Sequence, residues 1–100
     1  MVKATAIPRR HRSSATRIVD AQAVIALADT ARIQILNDVG TRVWNLIDGA
    51  RTVEEIVLAV RGQLEAEGYG SLPAGLGGDV EIFLEELGAH GMITWSGAEN

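Results

Sequence analysis

Residues 36–49 read LNDVGTRVWNLIDG, and this stretch marks the change from strands to helices. Asn37 and Asp38 are both of the residue types that cap helix N-termini. An apolar stripe then recurs at helical spacing, made of Val39, Val43, Leu46 and Ile47, with Trp44 beside it. Gly49 follows where a left-handed C-terminal cap is favoured. The stretch therefore predicts a short amphipathic helix and fixes where the preceding strands must end.

Three strand-like runs precede this helix, over residues 16–19, 22–27 and 32–36. The last run alternates, so that Ile33 and Ile35 share one face while Arg32 and Gln34 share the other. The short connections predict an antiparallel meander. Such a sheet has exposed edges, whose unpaired backbone groups can pair with another extended chain.

Two further helices follow on the C-terminal side. The run Thr52-Val53-Glu54-Glu55 is a capping box that opens the second helix. Residues 68–78 contain five glycines and one proline, which predicts a loop. A third helix is expected from residue 78 or 79 to about residue 90, and residues 92–95 make a short return across the core. The order of elements predicts an α+β domain, a three-stranded antiparallel sheet followed by three helices.

Charge divides the chain into unequal parts. The net charge is −4, but residues 1–17 carry five basic side chains and no acid, which leaves −9 for the remainder. We therefore expect a basic flexible arm over residues 1–15, a folded domain over residues 16–95 and a tail over residues 96–100. The acidic domain should repel nucleic acid.

Composition excludes several classes of protein. The 100 residues include no cysteine and only two histidines, which argues against a disulfide framework, a thiolate nucleophile and a metal centre. No apolar run approaches the roughly 20 residues that span a bilayer, and the N-terminus lacks the apolar core of a secretory signal. The expectation is a cytoplasmic protein without metal or cofactor.

Candidate catalytic groups have simpler explanations. The adjacent pairs Glu54-Glu55 and Glu85-Glu86 do not converge, because neighbours on a helix point about 100° apart. His90 stands at a helix C-terminus, where an imidazole suits the helix dipole. The sequence therefore predicts no catalytic residues and no enzyme.

Two features indicate binding instead. One flank of the third helix lies beside its core stripe, with an exposed isoleucine next to it: Asp79, Phe83, Glu86 and His90, with Ile82. Beside an open strand edge, this flank can line a groove for an apolar peptide side chain. The candidate strand comprises Arg32, Ile33, Gln34, Ile35 and Leu36.

The order and spacing of four motifs resemble the PqqD-like family, the small peptide-binding domains also called RiPP recognition elements. These motifs are LNDVGTRVW over residues 36–44, LIDG over residues 46–49, RTVEEI over residues 51–56 and DVEIFLEEL over residues 79–87, which is followed by HGMI over residues 90–93. The resemblance covers about four-fifths of the chain, from residue 17 to residue 95.

The resemblance implies a winged-helix-like fold that binds the leader segment of a ribosomally synthesised precursor peptide. In that family the leader adds as a strand to the third strand of the sheet and packs against the third helix. The complex is then presented to a maturation enzyme, which can be a radical-SAM protein, a cyclase or a leader peptidase. Here the implied binding elements are residues 32–36 and 79–90.

Two alternatives stay open at this point. A winged-helix DNA-binding protein fits the architecture and the basic arm, but the domain is acidic and its helices lack a basic recognition face. A self-associating scaffold, in which exposed edges pair in a homodimer, also fits an open sheet.

Overall fold

The runs expected to form strands pair as an antiparallel sheet in the computed structural model, which describes residues 3–28, 31–68 and 75–96. The elements in chain order are β1 (Ile7–Arg10), β2 (Ser14–Val19), β3 (Gln22–Leu27), β4 (Arg32–Ile35), α1 (Asp38–Leu46), α2 (Val53–Ala66), α3 (Leu76–Ala89) and β5 (Ile93–Ser96). The order β2-β3-β4 makes the three-stranded sheet, and three helices follow it. The predicted α+β class is confirmed.

A two-residue turn joins β2 to β3. Val19 pairs with Gln22, and the residues between them, Asp20 and Ala21, have φ of 51° and 66°. Positive φ at both central residues defines a type I′ turn, whose twist matches that of the flanking strands. An alanine therefore occupies a position that usually belongs to glycine.

The core lies between the three-stranded sheet and the helices. Ala23, Ile25 and Leu27 of β3 are buried on the helix side of the sheet, where α1 packs against them. Trp44 of α1 is fully buried, and its Nε1 donates a hydrogen bond of 2.7 Å to Thr16 Oγ1 on β2. This bond satisfies the one polar atom of the indole.

The ends of the chain form a second sheet that the sequence did not predict. β1 pairs antiparallel with β5, so that Pro8 faces Trp95 and Arg10 faces Ile93. The expectation of a flexible arm is wrong for Ile7–Arg10, and residues 93–96 form a strand that was not expected as such. Pro8 and two consecutive arginines hide the strand signal, and the pairing partner lies more than eighty residues away.

Several contacts hold this N-terminal segment on the helices. The carbonyls of Ala4 and Ala6 accept hydrogen bonds from the first-turn N–H groups of α2, at 3.0 and 2.9 Å. The Arg10 guanidinium lies 4.7 Å from the centroid of the Trp44 ring and donates to the Trp44 carbonyl at 2.7 Å. Burial lowers the pKa of Arg10. The segment is thus an integral part of the fold.

α3 begins earlier than predicted, at Leu76. Leu76 is buried, and Gly77 lies so close to α2 that a Cβ there would be 3.7 Å from Val57 Cγ1. Tertiary packing thus continues the helix through two glycines that indicate a loop on local grounds. The rest of the predicted loop, residues 69–74, and the tail at 97–100 lie outside the described residues.

Candidate functional site

β4 is one edge of the three-stranded sheet, and its outer side has unpaired backbone groups. The N–H of Leu36, just after β4, bonds to the Ala23 carbonyl at 2.9 Å, and Gln34 stands opposite Ile25. Because backbone direction alternates along an antiparallel strand, the N–H and C=O groups of Ile33 and Ile35 point away from β3. Within the described ranges, these groups have no backbone partner. They form a short template for an added strand.

The side chains of β4 fall on two different faces. Ile33 pairs with Ala26 and Ile35 pairs with Val24, so both isoleucines lie on the outer face, away from the buried side chains of β3. They are 65% and 64% exposed. Arg32 and Gln34 share the helix side with Leu27 and Ile25. An added strand would therefore have polar neighbours on the helix side of β4.

Leu36 differs from the other strand residues that the sequence indicated. Its side chain is 2% exposed, and its N–H is used by β3. Leu36 therefore belongs to the core below the groove, close to Gly40 of α1.

An apolar cavity of about 340 Å³ lies between the start of α1 and the first half of α3. It is lined by Asn37, Val39, Gly40, Val43, Leu76, Asp79, Val80 and Phe83. Asn37 follows β4 by two residues, so the cavity lies at the C-terminal end of the open strand edge. Its volume is at the lower end of the range for small-ligand sites and suits one large apolar side chain.

A close approach of two helices shapes this cavity. A Cβ built on Gly40 would lie 3.2 Å from Phe83 Cζ and 3.0 Å from Asn37 Oδ1. The Asn37 oxygen caps α1 by accepting from the Gly40 N–H at 2.8 Å. Glycine at position 40 therefore lets the Phe83 ring lie directly against the capped end of α1.

The structure separates the five residues of the α3 flank into two groups. Asp79 and Phe83 line the cavity, as expected of groove residues. Ile82, Glu86 and His90 are exposed along the same side of α3 and do not line it. Sequence reasoning missed the contribution of α1, namely Asn37, Val39, Gly40 and Val43. The available signal was a glycine in the first turn of an amphipathic helix, three residues after the asparagine that caps it.

Two carboxylates of the α3 flank, Asp79 and Glu86, have no ion-pair partner among the described residues. Arg32 of β4 is likewise unpaired there. α3 as a whole carries four carboxylates and no lysine or arginine. α3 is therefore negative, and β4 carries one cation, Arg32.

An ion-pair network holds the α1 wall of the cavity in place. Arg42 bonds to both carboxylate oxygens of Glu67, each at 2.6 Å, and its Nε bonds to Asp38 at 3.0 Å. The hydrogen bond from Arg42 lowers the pKa of Glu67. The hydrogen bonds to Glu67 and Asp38 raise the pKa of Arg42. The network joins the first residue and the middle of α1 to the C-terminal end of α2.

Two classes of site have no support in the described part of the chain. No three of its histidine, aspartate and glutamate side chains come together as metal ligands. None of the helices described has the length and apolar character needed to cross a membrane.

The fold and the groove define a small α+β domain with an open strand edge beside a cleft between helices. Comparison with known families places it further: residues 22–93 match the family described as Coenzyme PQQ synthesis protein D (PqqD), and the chain belongs to this family. The match includes β3, β4 and all three helices, and thus both the open strand edge and every residue that lines the cavity.

Among solved structures, the fold is similar to that described as TbiB1 in complex with the TbiA(beta) leader peptide. The TM-score is 0.72, with 22% sequence identity, over 92% of this chain and 99% of that chain. At this identity the likeness concerns the fold. No curated protein sequence gives a significant match.

Proposed function

We propose that this chain binds the leader segment of a ribosomally synthesised precursor peptide as an added strand on β4 and presents it to a maturation enzyme. The proposed contacts are Arg32, Ile33, Gln34 and Ile35 on β4, and Asp79, Ile82, Phe83, Glu86 and His90 on α3. Leu36 is not among them, because its side chain is buried and its N–H is bonded to Ala23. In this proposal the chain is a binding partner, and the chemistry belongs to the enzyme.

The observation that carries the proposal is the cavity beside the open edge of β4. The edge offers backbone donors and acceptors to any extended segment, and the cavity offers one apolar site for a side chain of that segment. β2 also forms a sheet edge, but the cavity is lined by residues that follow β4 and by α3. Membership of the PqqD family and the leader peptide in the TbiB1 complex support the same assignment.

The expected affinity is modest. A dissociation constant between micromolar and tens of nanomolar corresponds to about −8 to −10 kcal/mol. Backbone pairing along a four-residue strand and one apolar anchor are consistent with this range.

The proposed binding mode leaves the rest of the precursor accessible to a partner enzyme. Because the leader would be held at β4 and α3, the rest of the precursor is free to enter the active site of a radical-SAM protein, a cyclase or a leader peptidase. We propose the cytoplasm as the place of this encounter, because a ribosomally synthesised precursor is made there.

No specific observation favours either alternative function, DNA binding or self-association. DNA binding requires a basic recognition surface, whereas α3 carries four carboxylates and no basic residue. Homodimer formation through the open edge of β4 would use the surface that the leader is proposed to occupy. Light scattering with and without peptide distinguishes a homodimer from a one-to-one complex.

A titration followed by backbone-amide NMR tests the proposal. The labelled chain is mixed with the leader peptide of a small precursor encoded beside its gene. Shifts concentrated at residues 32–36 and 79–90 are expected. Shifts spread along β2, or none at millimolar peptide, would contradict the proposed site for that peptide.

A further inference from the structure

We infer that the groove selects leader segments in which a large apolar residue has a lysine or arginine within about three positions. The inference rests on the proposed function and specifies the chemistry of the peptide that the groove prefers.

The cavity sets the apolar requirement. Five of its lining side chains are hydrocarbon, from Val39, Val43, Leu76, Val80 and Phe83. The Asn37 oxygen is already used in capping α1, so it does not require a polar ligand atom. A leucine, isoleucine or phenylalanine side chain fits about 340 Å³ and leaves no buried polar group unpaired.

The carboxylates of α3 set the charge requirement. Asp79 lies at the cavity itself, and Glu86 lies seven residues further along the same flank. At 1.5 Å per residue the separation is about 10 Å along the helix, which an extended peptide covers in about three residues. A cation within three positions of the anchor residue therefore reaches one carboxylate or the other.

The remaining charged groups at the groove restrict where this cation lies. Arg32 is on the helix side of β4, at the end remote from the cavity, and would repel a basic residue placed beside it. His90 is the C-cap residue of α3, eleven positions after Asp79, and Asp38 is already paired with Arg42. The favoured position for lysine or arginine is thus next to the apolar anchor, on the α3 side.

A selection experiment tests this chemistry without knowledge of the natural leader. A display library of random peptides of about twelve residues is selected on the intact chain at low salt, where charge effects are least screened. The same library is selected on the variant Asp79→Asn/Glu86→Gln and on the matched control Glu54→Gln/Glu65→Gln, which removes two exposed carboxylates of α2. Selection on Ile33→Pro shows which peptides need the open edge of β4.

The expected result is enrichment of lysine and arginine near an apolar residue on the wild-type chain and on the control. This enrichment should fall to the level of the unselected library on Asp79→Asn/Glu86→Gln. Individual selected peptides should bind that double variant about threefold to tenfold more weakly, and the difference should vanish in high salt.

Two results would overturn the inference. Edge-dependent peptides without a basic preference, or with an acidic one, would refute the charge requirement while leaving the proposed function intact. A selection that yields no edge-dependent peptide would refute both. Asp79 is also in the first turn of α3, where an acid stabilises the helix, so thermal unfolding of each variant separates lost stability from lost selectivity.

Discussion

Phe83 of α3 lies against Gly40 of α1 so closely that its Cζ is 3.2 Å from the place where a Cβ at position 40 would be. The contact joins the capped end of α1 to the middle of α3, and both residues line the apolar cavity. The absence of a side chain at Gly40 therefore leaves room for the Phe83 ring beside the cavity.

Gly40→Ala should weaken leader binding about fivefold, because the added methyl group enters the cavity and displaces the Phe83 ring. Stability should change by less than about 1 kcal/mol, since better helix propensity offsets the crowding. Peptide titration by fluorescence and urea unfolding measure the two effects separately.

Gly62→Ala is the matched control for that substitution. Gly62 is inside α2, and a Cβ there would meet no atom within 4 Å. The change should raise the free energy of unfolding by about 0.5–1 kcal/mol and leave peptide affinity unchanged. Equal affinity losses for the two variants would argue against a role for the cavity.

Ile33→Pro should abolish leader binding in a chain that still folds. The N–H of Ile33 points away from β3, so proline removes a donor from the open edge without breaking the β3–β4 ladder. Isothermal titration measures the affinity, and circular dichroism checks the fold.

Ile33→Ala separates the backbone from the side chain at the same position. The Ile33 side chain lies on the outer face, so its truncation should change affinity by less than about threefold. Loss of binding by the alanine variant as well would show that the isoleucine side chain, and not strand addition, makes the contact.

Ala21→Gly should stabilise the protein by about 1 kcal/mol. Ala21 has a φ of 66° in the type I′ turn, a conformation that costs alanine roughly 1–2 kcal/mol and glycine much less. Thermal unfolding should show a rise of several degrees. Ala15→Gly in β2, where the backbone is extended, should lower the unfolding temperature instead.

The bond between Arg42 and Glu67 should make stability depend on acid pH. The pKa of Glu67 is lower in the folded chain than in the unfolded chain. At pH values between these two pKa values, the unfolded chain therefore binds more protons than the folded chain. The bond therefore contributes fully to stability at pH values above the pKa of Glu67 in the unfolded chain. This contribution is lost as the pH falls through the pKa of Glu67 in the folded chain.

Glu67→Gln should therefore flatten the dependence of unfolding free energy on pH at the acid end. The effect should be small, because half of the Glu67 side chain is exposed to solvent. Urea unfolding at a series of pH values measures it. Glu65→Gln, which removes a neighbouring glutamate outside the network, should leave the acid limb of the profile in place.

Local signals predicted the helices well. The Thr52–Glu55 capping box is formed in both directions, and Asn37 caps α1 through its side chain. Trp44 is fully buried in the helical stripe where periodicity places it. These features depend on residues within four positions of each other, so they can be recognised in one segment of sequence.

The candidate site was predictable only in part. Alternation correctly grouped Ile33 with Ile35, but it did not show that this pair lies on the outer face. The flank of α3 was identified from helical geometry, yet only Asp79 and Phe83 of it reach the cavity. The α1 side of the cavity was missed, because no local pattern shows which two helices will lie side by side.

The sequence by itself determined the helix caps, the apolar stripes, the order of elements from β2 to α3 and the resemblance to the PqqD-like family. The tertiary structure alone decided that β1 pairs with β5, that the two isoleucines of β4 face outward and that Gly40 admits Phe83. The physical reason is range: caps and periodicity act over one or two turns, whereas strand partners and helix contacts are chosen by burial across the whole chain.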